Sequence, residues 1–134
     1  MGSWGPGSFQ NDGALDWLAE LRDVATVRDA LRFVADAPDG TDFDVDEGEW
    51  TLAAAEIVAA ARGEAARHLP EQARAFLEAN AKLLTAADAK LARRALVRIT
   101  MDPCSELRSL RAALTDDPWR AIVIDLLERL ERAS

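Results

Sequence analysis

Ten consecutive residues, Leu52-Ala53-Ala54-Ala55-Glu56-Ile57-Val58-Ala59-Ala60-Ala61, contain nine apolar side chains and one carboxylate. The run is too short to cross a bilayer, and Glu56 interrupts it. It reads instead as part of a long helix whose alanines let neighbouring helices approach closely. The stripe Trp50, Ala54, Ile57, Val58, Ala61 and Ala65 predicts that helix from Asp46 or Glu47 to about His68. Gly63 falls within this span, costs about 1 kcal/mol relative to Ala, and marks a kink or a close approach by another helix. If the helix is central, the Glu56 carboxylate is buried and needs donors. No basic residue lies within one helical turn of it.

The rest of the chain carries the same 3.6-residue signal. Asn11 or Asp12 caps a helix over about 12–23, with Leu15, Leu18 and Leu21 on one face. Thr26 and Asp29 resemble a capping box opening a second helix that ends near Pro38. Pro70 suits the first turn of a fourth helix through Asn80. A fifth spans about 85–101 and stops at Asp102-Pro103. A short sixth begins at Ser105. Asp117-Pro118 opens the last, whose buried series is Trp119, Ile122, Val123, Leu126, Leu127 and Leu130. The expected architecture is all-α: one compact bundle of six to seven helices forming a single domain over residues 1–134. Residues 1–11 are expected to form an ordered, Gly-rich cap. Residues 38–47 are expected to form an acidic loop, with a short extended piece between Thr41 and Asp46.

Composition narrows the chemistry. One cysteine, Cys104, and one histidine, His68, cannot form a disulfide or assemble a zinc or haem site alone. No metal and no cofactor is expected, and the single thiol suits a reduced, cytoplasmic setting. The N-terminus lacks the basic and apolar regions of a secretory signal. The net charge of −8 is uneven: residues 1–50 carry three Arg against twelve Asp and Glu, whereas the remainder is nearly balanced. Such a chain disfavours nucleic acid and anionic membranes and favours a basic protein partner.

The N-terminal residues carry a more specific pattern. Trp4-Gly5-x-Gly7-x-Phe9-x-Asn11-Asp12, followed by Asp16-Trp17, resembles the opening of the bacterial domain of unknown function 4259 (DUF4259) family. The 53–60 run with Gly63 after it, and Ser105-Glu106-Leu107 leading to Trp119, are also similar to that family. The resemblance spans nearly the whole chain and implies a mostly helical domain. The family name carries no activity, so it supplies no catalytic residue. Trp4 and Phe9 are expected to be buried, with Gly5 and Gly7 where the backbone turns or packs closely.

Two places suit a function. Glu56 is the sharper: a general acid/base or cation anchor on one reading, a structural carboxylate held by the N-terminal cap, an Arg or an indole on the other. The second is the acidic loop, where Asp39, Asp42, Asp44 and Asp46 are the partner-binding candidates. Asp42-x-Asp44-x-Asp46 imitates the start of a calcium loop, but Glu47 replaces the required Gly and Ala53 the terminal Glu. The stripe Lys90, Arg94 and Arg98, with Arg93 beside it, reads as a solvated helix face, with pairing to the acidic half or anion binding as the other readings. His68 reads as a helix-end cap, Cys104 as an apolar filler and Ser105 as an N-cap. No catalytic constellation emerges. The leading expectation is a non-catalytic cytoplasmic interaction domain, such as one neutralising a basic partner in the manner of an immunity protein or antitoxin. The alternative is a small-ligand or enzymatic pocket around Glu56 beneath the N-terminal cap.

Overall fold

A computed structural model describes residues 7–101 and 119–134, and the chain is all-α. Six α-helices lie among the described residues: α1 (Asp12–Ala19), α2 (Val24–Ala35), α3 (Val45–Ala61), α4 (Glu71–Asn80), α5 (Ala86–Met101) and α6 (Trp119–Ala133). A 3-10 turn, Ala81–Leu83, follows α4. The helix expected from Ser105, like Cys104, Trp4 and Gly5, lies outside the described residues.

The central position of α3 follows from its composition. Every residue from Thr51 to Ala59 is buried, so the helix has no solvent face there. A helix apolar all round must be wrapped by others, and α1, α2, α4, α5 and α6 all pack against it. Its alanines keep those approaches close. Gly13 does the same from the other side: a Cβ on it would sit 2.6 Å from Glu49 Oε1 and 3.1 Å from Glu49 Cβ, so α1 crosses α3 on a glycine.

Local capping chemistry sets the boundaries and corrects several expected ones. Asn11 caps α1, its Oδ1 accepting from Ala14 N at 2.7 Å. Asp23, rather than Thr26, caps α2 and accepts from both the backbone N and hydroxyl of Thr26. That cap ends α1 earlier than its apolar pattern suggested. At α3, Asp44 and Glu47 form a capping box, each side chain accepting from the other's backbone N–H at 2.8 Å. The helix therefore starts before Asp46, and the acidic loop is shorter than 38–47. The only extended feature near 41–46 is a single bridge residue, Phe43.

Gly63 terminates α3 rather than kinking it. Its φ is +87°, the left-handed conformation of a helix C-terminal glycine. Glu64 N donates to Ala59 O at 2.8 Å and Gly63 N to Ala60 O at 3.1 Å, which closes the helix end. Consequently His68 is an exposed residue of the α3–α4 connection, not the end of a helix.

Candidate functional site

Glu56 sits in the middle of α3 and is 2% exposed. The fold supplies its donors from both sides. Arg129 of α6 approaches as a fork, Nη1 to Oε1 at 2.8 Å and Nη2 to Oε2 at 3.2 Å. Ser8 Oγ of the N-terminal segment donates to Oε2 at 2.9 Å. Arg129 is itself buried and also donates to Glu64 O at 3.1 Å and, through Nε, to Asp125 Oδ2 at 2.7 Å. Burial alone would lower the guanidinium pKa. Hydrogen bonding and charge from Glu56, then Asp125, outweigh it and raise the pKa. The result is a charged, fully engaged cluster joining residues near both chain ends to the central helix.

The described part of the N-terminal segment is buried at Ser8, Phe9 and Asn11, while Asp12 is exposed. Gly7 is not in a left-handed conformation. The nearest atoms a Cβ there would meet belong to the Gln10 side chain, whose Oε1 accepts from Gly7 N at 2.8 Å. The backbone turns at Gly7, where Gln10 N donates to Gly7 O at 3.0 Å, and the Gln10 side chain packs closely against it.

The basic stripe of α5 finds partners at two of its members. Arg98 Nη1 donates to Val34 O and Ala37 O at the C-terminal end of α2, and the guanidinium lies 5.0 Å from the centroid of the Phe43 ring. Arg94 pairs with Asp36 at 2.8 Å. The stripe is solvated at Lys90 and Arg94, the latter pairing with Asp36 in solvent, and only Arg98 is drawn onto the end of α2, whose carbonyls attract cations. A further ion pair left no signal in the sequence. Arg28 forks onto Asp88, at 2.8 and 2.9 Å, and Asp88 also accepts from Thr85 N at 2.8 Å.

The acidic residues are placed differently. Asp39, Asp42, Asp44 and Asp46 are all exposed. Asp44 and Asp46 stand on the wall of a cleft of about 360 Å³ between α1 and the start of α3, whereas Asp39 and Asp42 do not line it. Across the cleft from them stand Asp16 of α1 and Glu20, the residue that caps its C-terminal end. Glu47 and the indoles of Trp17 and Trp50 complete the wall, and no basic residue lines it. Trp17 is 7% exposed and Trp50 half-buried. Among the described residues, Trp50 Nε1 is buried with no acceptor, and no group of His, Cys, Asp and Glu is gathered closely enough to hold a metal ion. The Asp16–Glu20 wall was missed in the sequence. Its signal was the like-charge series Asp12, Asp16, Glu20 at i, i+4, i+8, which lies along one face of α1 and disfavours the helix.

The family model of the domain of unknown function DUF4259 matches residues 2–121, and the chain belongs to that family. No curated protein and no solved structure matches it. No helix among the described residues is long and apolar enough to cross a membrane.

Proposed function

We propose that this chain is a non-catalytic, cytoplasmic protein-interaction domain whose acidic face binds a basic partner, as an immunity protein or antitoxin would. The observation that carries this reading is the distribution of partners among the charges. Arg28, Arg98 and Arg129 are turned onto carboxylates and carbonyls of the fold, and Arg94 pairs with Asp36 at the surface. Asp16, Glu20 and Asp46 make no ion pair with a described residue, yet they converge on a concave wall without a base. Like charges held together cost free energy in the unbound protein. A cationic partner relieves that cost and is steered toward the face on approach.

The Glu56 pocket has less support. Both carboxylate oxygens are engaged by Arg129, and one also by Ser8. A cationic ligand would have to displace a buried, hydrogen-bonded guanidinium.

The test begins with affinity capture from the native host and mass spectrometry. Association rates of the captured partner are then measured over a salt series for the parent and for Asp39→Asn/Asp42→Asn/Asp46→Asn. Asp44 is left intact because it caps α3. The triple variant should associate several-fold more slowly, with a shallower dependence on salt. Equal rates and equal slopes would remove the acidic face from the interaction.

A further inference from the structure

The cleft between α1 and the first turns of α3 differs from the surrounding acidic surface in holding two indoles. Asp39 and Asp42 are exposed, like Asp46, but they do not line the cleft. Inside the cleft, Trp17 and Trp50 stand beside carboxylates from two helices. A bare metal ion is a poor match, because the carboxylates do not gather into a ligand set among the described residues. An organic cation uses both components, with its charge among the carboxylates and its flat or apolar part against an indole. Guanidinium suits this better than ammonium, being planar, weakly hydrated and able to stack on aromatic rings. Phe33 lies beside the site, its ring 5.8 Å from that of Trp50, and the residue is 49% exposed. It offers an apolar ledge for the methylene stem that carries a guanidinium. The buried Nε1–H of Trp50 has no acceptor among the described residues.

Resting on the reading above, we infer that this cleft is the anchor pocket for one arginine side chain of the protein partner. The guanidinium lies among Asp16, Glu20 and Asp46 and against the indole of Trp50. The exposed acidic loop beyond the cleft steers the partner but does not grip it.

The test uses the full chain, labelled with ¹⁵N, and three short peptides of equal length: tri-arginine, tri-lysine and neutral tri-citrulline. The indole N–H resonances of Trp17 and Trp50 should shift with tri-arginine at low salt and stay still with tri-citrulline. Two double variants, each removing two negative charges, separate the pocket from the general field. Asp16→Asn/Glu20→Gln should weaken tri-arginine binding at least tenfold, and Asp39→Asn/Asp42→Asn no more than twofold. All four residues are exposed, so both variants should keep the parent's spectral dispersion. Trp50→Leu should match the first pair. Equal weakening by the two double variants, with still indoles, would overturn the anchor pocket and leave the acidic-face reading standing. Equal affinity for tri-lysine would overturn the choice of arginine. Absence of binding by either cationic peptide would overturn the pocket, while salt-independent association of the captured partner would separately overturn the acidic face.

Discussion

Helix α3 carries carboxylates in two settings, and they have opposite fates. In its middle, Glu56 is sealed in the core and shares its charge with Arg129 and Ser8. In its first turn, Asp46 and Glu47 lie at the positive end of the helix dipole and open onto a cleft without a base. The first setting is a closed account of charge, in which adding or removing any member leaves a buried group unmatched. The second is open, stabilised weakly by the helix end and available to a cation from outside. Within α3, the carboxylate that an arginine reaches is sealed in the core, and those at the first turn stay accessible.

Breaking the closed setting should have the largest effect. Arg129→Met leaves Glu56 buried beside an apolar side chain and should cost about 3–5 kcal/mol, read from the urea unfolding midpoint. Pairing it with Glu56→Leu should recover much of that loss, since a buried ion pair is often replaceable by packed hydrophobes. If the double variant is no better than the single one, Ser8 and Glu64 need the charges for themselves.

Next in size is the Arg28–Asp88 pair, which is less deeply buried at its arginine. Burial pushes the Asp88 carboxyl up, but the bonds from Arg28 and Thr85 outweigh it and hold its pKa below the ordinary 3.8. A depressed carboxyl contributes stability that is complete above its unfolded pKa and is lost as pH falls through its folded one. The parent's advantage over Asp88→Asn should therefore be constant near neutrality and shrink only below pH 3.8. An advantage that persists unchanged at lower pH would show that shape, not charge, is what Asp88 provides.

The open setting should respond least. Asp44→Ala removes the α3 cap and should lower stability by about 1 kcal/mol, while Asp44→Asn, still a good cap, should be nearly neutral. Asp39→Asn/Asp42→Asn should stay within about 0.5 kcal/mol of the parent by thermal unfolding. A loss from the last pair approaching that from Asp44→Ala would mean the loop contributes to the fold.

The helices were legible because each rests on a local signal: a cap, a 3.6-residue stripe or a proline. The burial of Glu56 was legible for the same reason, since a single carboxylate in an alanine run has no local partner. Its base was not, because Arg129 lies 73 residues away and pairing at that distance leaves no periodicity. A trace did exist. Arg129 sits three residues after Leu126 and four before Ala133, inside the buried face of α6. An arginine within one apolar stripe and a glutamate within another are complementary misfits. The α3 boundary was misplaced because Asp44, Asp46 and Glu47 are all plausible first-turn residues. Only the reciprocal geometry of Asp44 with Glu47 decides among them. The acidic cleft escaped because its walls belong to segments that look unrelated until α1 crosses α3 on Gly13.

The separation of Glu56 from Arg129 also sets a clock. A ribosome adding roughly 5–20 residues per second takes on the order of 4–15 s to pass from one to the other. Throughout that interval the nascent chain has the helix meant for the centre but not the cation that neutralises it. Glu56 must remain wet, and the alanine faces around it cannot close as a dry core. A chain stopped before α6 would lack the cation that pairs with Glu56 in the core.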